Sequence, residues 1–188
     1  MEHSQHGPTQ GIEKQTPGLI VVGGLPGTGK SSIAVPLARR LRSAYVRIDT
    51  IEQSLVGSGE LRKAPQAVGY LTGYALAADQ LRVGLSAVAE CVNPLEVTRA
   101  AWRRVADEQS CWIVEVELIC SDRDEHKRRV EHRSSDIPGL VLPTWQQVLD
   151  RSYETWDRDH LVIDTSTTSV ESSVELICQH VFDAADRA

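Results

Sequence analysis

The segment Gly24-Leu25-Pro26-Gly27-Thr28-Gly29-Lys30-Ser31 follows G-x-x-x-x-G-K-[ST] at every fixed position, and a second serine, Ser32, comes directly after it. These residue types suit one task. Gly24, Gly27 and Gly29 let the main chain turn tightly and aim its N–H groups at phosphate oxygens. Lys30 sets a cation against the β- and γ-phosphates, and the Ser31 hydroxyl is a ligand for Mg²⁺. A helix starting here adds the positive end of its dipole to the same anion. Pro26, Thr28 and Ser32 belong to the same cradle, and the expected ligands are ATP and Mg²⁺. An incidental glycine loop needs neither a buried strand before it nor an amphipathic helix after it. This segment has both.

Moving a phosphoryl group to an alcohol also requires a carboxylate that orients the acceptor hydroxyl and takes its proton, and an acid near the metal. Asp49 and Glu90 each close a strand-like run, and ligands of open α/β sheets bind beyond the carboxyl ends of strands. Asp49 is the better candidate for the base and for substrate contact. Glu90 is the better candidate for the metal side or for orienting the substrate. The two roles can be exchanged, and either acid can instead cap the next helix.

Bases are concentrated in residues 123–133 of an otherwise acidic chain. Arg129 and Arg133, spaced i, i+4, share a helix face, with Arg128 adjacent. Guanidinium groups there can clamp the transferring phosphoryl, and a lid carrying them would exclude water. The competing reading is a solvated helix with Glu–Arg pairs. His126 and His132 read as part of such a solvated face. Thr165, after the last strand, is a candidate for contact with the nucleotide base, or part of a plain capping turn. Arg99 faces either an anionic substrate or water. Trp102, Trp145 and Trp156 read as core or lid packing.

The elements that must position these groups alternate. Apolar, β-branched runs predict strands at residues 18–23, 44–49, 85–91, 111–120 and 161–164. Helical periodicity predicts helices at 31–42, 65–82, 122–133, 144–156 and 169–184, and a further one that Asn93-Pro94 starts and that runs to about 108. Gly69 and Gly73 suggest close packing of the second helix, and Pro36 should bend the first. The alternation implies a parallel sheet covered on both faces. Residues 1–16 read as a disordered leader, residues 17–188 as a single domain with a lid at about 122–143, and 134–139 as its hinge.

With 188 residues, 41% hydrophobic and 24% charged, the chain suits one α/β domain. A net charge of −6 argues against a nucleic-acid partner. No apolar run is long enough for a membrane span, and no secretory signal is visible. The scattered Cys91, Cys111, Cys120 and Cys178 form no metal-binding pair and read as reduced thiols of a cytoplasmic protein.

Taken together, GGLPGTGKSS, RIDTIEQSL, AECVNP followed by TRAAW, HKRRVEHR and VIDTS resemble the small P-loop kinase group, which includes adenylylsulfate kinase, gluconate kinase, chloramphenicol phosphotransferase and zeta-toxin kinases. The resemblance spans about residues 19–184. It implies a P-loop NTPase three-layer sandwich with a five-stranded parallel sheet of order 2-3-1-4-5 and a mobile helical lid. By position, Lys30 and Ser31 match the Walker A lysine and hydroxyl, Asp49 the base or substrate anchor, and Arg129 and Arg133 the lid arginines. Glu90 stands where aspartate is more usual. The expected activity is transfer of the γ-phosphoryl group of ATP to a hydroxyl of a small-molecule acceptor, by a monomer or homodimer. The alternatives are a nucleotide kinase, with Arg62, Arg82 and Arg99 available for a phosphate acceptor, and a regulatory NTPase switch.

Overall fold

The apolar run Gly18–Gly23 forms strand β1, and all its positions are buried. A strand of this composition is stable with both faces covered and neighbours on both edges. The chain, described by a computed structural model over residues 16–59 and 67–188, provides both. The expected leader apart from Thr16, together with Arg62 and Pro65, lies outside the described residues.

Strands β2 (Ala44–Arg47), β3 (Ala87–Glu90), β4 (Trp112–Ile119) and β5 (Leu161–Asp164) join β1 in one parallel sheet of order β2-β3-β1-β4-β5. Helices α1 (Lys30–Leu41) and α7 (Val170–Ala185) cover one face, where Ile33, Leu37, Ile177 and Val181 pack on Ile20, Val22, Val116 and Ile163. Helices α3 (Val68–Arg82) and α4 (Glu96–Glu108) cover the other, burying Leu81, Trp102 and Val105 against Leu19, Val21 and Ala89. Each such Val, Leu or Ile contributes about 1.5–3 kcal/mol by leaving water. This is the expected sandwich. Pro36 sits inside α1 without ending it.

Three local expectations are corrected. The second strand stops at Arg47, and Ile48 and Asp49 open a helix that periodicity did not indicate, α2 (Ile48–Gly57). Ile48 turns into the core here. A Cβ on Gly73 would lie 2.3 Å from its Cδ1, so glycine at 73 is what admits α2 against α3. Asn93-Pro94 does not start α4, which begins at Glu96. Asn93 is fully buried at φ 53°, its N–H donating to the Tyr70 hydroxyl and its side chain accepting from Thr98.

The helix expected at 144–156 shrinks to α6 (Trp145–Leu149), started by a Thr144–Gln147 capping box. The chain after it leaves the helix and is pinned by Arg99. That side chain is 0% exposed, donates to the carbonyls of Asn93, Pro94, Glu154 and Thr155, and lies 4.4 Å from the Trp156 ring centre. Arg99 therefore meets neither an anionic substrate nor water. It stitches residues 153–156 onto α4.

Candidate active site

Between β1 and α1 the chain makes a hollow. Gly24, Gly27 and Gly29 have φ 139°, 88° and 89°. A Cβ on Gly24 would lie 2.3 Å from the Leu118 carbonyl oxygen, and one on Gly27 would lie 2.5 Å from Val130 Cγ2, so backbone and space both demand glycine. Among the described residues, the amides of Gly27, Gly29, Lys30, Ser31 and Ser32 have no acceptor. Unpaired amides at the start of a helix are a ready anion site. The Lys30 ammonium lies in the hollow, donating to the Leu25 carbonyl at 3.0 Å. Burial pushes its pKa down, while the fields of Glu90 and Asp49 push it up. Thr28, also buried, donates to the same carbonyl at 2.8 Å, so its hydroxyl serves the shape of the loop.

The strand register brings Glu90 beside this hollow. Val22 pairs with Glu90 and Arg47 pairs with it from the other side. Glu90 is 3% exposed and accepts from the Ser31 hydroxyl at 2.6 Å and from the Tyr45 hydroxyl, with Arg47 Nε 3.6 Å away. Burial and the Glu90 charge push the Tyr45 pKa up, which keeps that phenol a donor. Glu90 thus stands against the hydroxyl expected on magnesium. It does not line the large cavity described below.

Asp49 is in the first turn of α2 rather than at a strand end. It lines a cavity of about 690 Å³, within the usual range for small-molecule sites, together with Lys30, Pro26, Glu52 and Arg133. No hydrogen bond or ion pair occupies the Asp49 carboxylate among the described residues.

The basic stretch forms α5 (Arg123–His132), but its arginines diverge. Arg133 is not on the helix. It is the C-cap, in extended conformation at φ −72° and ψ 149°, and therefore turns away from Arg129. Its guanidinium lines the large cavity, where burial lowers its pKa against the opposing field of Asp49, and its Nε has no hydrogen-bond partner. Arg129 is held by Glu125 Oε1 at 2.7 Å and by Thr165, through Oγ1 at 2.9 Å and the carbonyl at 3.0 Å. It lines a second cavity of about 310 Å³ with Gly29, Ser32 and Thr165. Arg128 points outward, forked on Glu125, and lines neither cavity.

His126 corrects the expectation of a solvated face. It is buried, with Nε2 2.8 Å from the Pro26 carbonyl oxygen and Trp145 edge-on at 5.1 Å. With Val130 it forms the surface on which the phosphate loop rests. The spacing i, i+4 to Val130, the only apolar residue in α5, was the available signal. Tyr45, Arg47 and Asp136 were not foreseen either. Asp136, in the segment after α5, makes a two-point ion pair to Arg47 Nη1 at 2.8 and 2.9 Å.

Glu52, one turn after Asp49, is the remaining acid of the cavity. Burial, with Asp49 adding to it, pushes its carboxyl from the ordinary 4.5 up to about 7. Between those values the folded protein holds a proton that the unfolded chain has released. Its contribution to stability is complete below about pH 4.5 and is lost as pH rises through about 7. Urea midpoints of Glu52→Gln should fall less than those of the parent across this window. Parallel profiles would assign the titration elsewhere.

Among the described residues no helix is long and apolar enough to cross a membrane, and no cluster of side chains forms a complete metal cage. The sequence profile of the family described as "AAA domain" matches residues 19–152. The "Probable adenylyl-sulfate kinase" of Aeropyrum pernix is 26% identical over 180 residues, with 88% of this chain and 92% of that protein covered. The structure of Mycobacterium tuberculosis APS kinase CysC in complex with AMPPNP and APS superposes with a TM-score of 0.68 at 20% identity, covering 89% of this chain and 98% of that one. A gluconokinase from Sinorhizobium meliloti gives 0.60 at 19% identity, covering 90% and 98%. The sheet order and flanking helices are those of P-loop kinases.

Proposed function

Starting from a chain that belongs to the AAA domain family, we propose that it is an ATP- and Mg²⁺-dependent phosphotransferase acting on a hydroxyl of a small molecule. One observation carries the reading: Lys30, at the start of a helix whose first amides are unpaired, lines the same cavity as an unengaged carboxylate, Asp49. Such an arrangement holds a triphosphate at one end and an acceptor at the other, in contact where the reaction occurs.

In the proposed reaction the acceptor oxygen bonds to the γ-phosphorus as the bond from that phosphorus to the β,γ-bridging oxygen breaks. The hydroxyl proton passes to Asp49, and ADP leaves. Lys30 and the amides balance charge on the phosphates. Arg133, a cation with an unpaired Nε, stabilises the equatorial oxygens. Arg129 and Thr165 border the nucleotide from the second cavity, together with Ser32. The Ser31 hydroxyl and Glu90 carboxylate are adjacent hard oxygen donors, a set that would hold Mg²⁺. When bound, the ion would neutralise phosphate charge. Residues 134–143 serve as the closing segment, while α5 is anchored under the phosphate loop by His126 and Val130.

A phosphate acceptor is not supplied by the described arginines offered for it. Arg99 is consumed by carbonyls, and Arg82 is exposed in an ion pair with Asp79. The test is calorimetry with Mg·AMPPNP, followed by ADP release against alcohols, nucleosides, sugars and antibiotics. Heat on binding and release stimulated by a hydroxyl compound are expected. Slow hydrolysis indifferent to every acceptor would instead favour a regulatory switch.

A further inference from the structure

The large cavity has more apolar wall than a charged acceptor needs. Leu71 on α3, Val97 on α4 and Val141 in the segment before α6 line it from three sides, although they are 61%, 67% and 88% exposed. Isolated exposed apolar residues are ordinary. Three that converge on one cavity from separate elements are a surface awaiting an apolar ligand.

The uncharged polar groups of the wall are already engaged. The Tyr70 hydroxyl accepts from the Asn93 amide, the Tyr74 hydroxyl donates to the Thr98 carbonyl, and the single Thr98 hydroxyl hydrogen is shared between Asn93 Oδ1 and the Leu95 carbonyl. A polyhydroxy acceptor would depend on the charged side chains for its many hydroxyls, and each one buried without a partner is costly.

The charges oppose an anionic acceptor as well. Arg133 and Arg151 share the cavity lining with two acids, Asp49 and Glu52. With a triphosphate in the hollow, Lys30 and Arg133 are engaged on it, which leaves Arg151 beside Asp49 and Glu52 and the apolar wall.

On the phosphotransferase reading above, we infer that the acceptor is a hydrophobic alcohol without anionic groups, uncharged or cationic, whose apolar body is held between Leu71, Val97 and Val141 while its hydroxyl reaches Asp49. The acceptor oxygen–phosphorus bond forms as the β,γ-bridge breaks, and the hydroxyl proton goes to Asp49. A cationic group on such a molecule would meet Glu52.

The probe is prodan, a neutral naphthalene dye whose emission moves to the blue in apolar surroundings, titrated into protein saturated with Mg·AMPPNP. One-to-one binding is expected, weakened at least about 10-fold in the double variant Leu71→Asp/Val97→Asp, because a carboxylate now faces the bound apolar body. Both side chains are mostly exposed, so the variant should fold. A neutral aryl-alkyl alcohol such as 3-phenylpropan-1-ol should displace the dye, whereas gluconate and adenylylsulfate should not. The inference is overturned by absent dye binding, by equal binding to the double variant, or by displacement or faster ADP release with either anion. Absent heat with Mg·AMPPNP would sink the phosphotransferase reading by itself, since the dye titration repeated without nucleotide still judges the cavity.

Discussion

Lys30→Met should reduce ATP-dependent ADP release by about 10³-fold or more while leaving the nucleotide-free protein no less stable. The two halves of this expectation have separate causes. The loss of turnover follows from removing a preorganised cation from developing phosphate charge, where a single donor or cation is commonly worth about 10²–10⁵ in rate. The retained stability follows from burial. Without nucleotide the ammonium sits in a low-dielectric hollow on one carbonyl, and burial is the largest influence on it, disfavouring the charged form. A methionine of similar length removes that cost. Lys30→Arg should not rescue activity, because a guanidinium presents its donors in a rigid planar fork rather than as a compact point charge. Thermal melts and steady-state kinetics on the same preparations check both halves. Turnover within a few-fold of the parent would remove the phosphate loop from the reaction.

Asp49→Asn should lower kcat by about 10²–10⁴-fold with Mg·AMPPNP affinity changed only a few-fold, the signature of a group needed in the chemical step. Asparagine keeps the size of the side chain and a carbonyl oxygen, so orientation of the acceptor survives better than proton acceptance. Asp49 has no hydrogen-bond partner to lose among the described residues, and its replacement leaves no orphaned donor in the core. Calorimetry and kinetics separate the two quantities. Equal losses in both would move Asp49 to the metal or nucleotide side, and Glu90, already against Ser31, would no longer be distinguished from it.

The reading of Asp49 and Glu90 from sequence shows where local pattern stops being informative. Both were placed at strand ends by the same rule. Glu90 is there, because β3 lies in the middle of the sheet between β1 and β2 and its apolar run is buried to the last residue. Asp49 is not. Beyond Arg47, β2 gives way to a helix because Ile48 fits beside Gly73, a residue far along the chain. The arginines repeat the lesson. A spacing of four residues predicted one shared face, but the helix ends at His132, and Arg133 enters a different cavity from Arg129. Arg99 was judged by its helical position, yet its environment is made by carbonyls contributed by residues 154 and 155.

The alternation of strands and helices, the sandwich it implies and the phosphate hollow were all determined by the sequence itself. Their determinants are contiguous: glycines, lysine and serine between one buried strand and one amphipathic helix act within a few residues of each other. What surrounds that hollow was decided by tertiary structure. Ser31 meets Glu90 across 59 positions and Arg47 meets Asp136 across 89, and no local period encodes such pairings. Strand register sets the first, and the path of the chain after α5 sets the second. Both depend on how whole faces bury their apolar area, a property of the assembled core rather than of any segment.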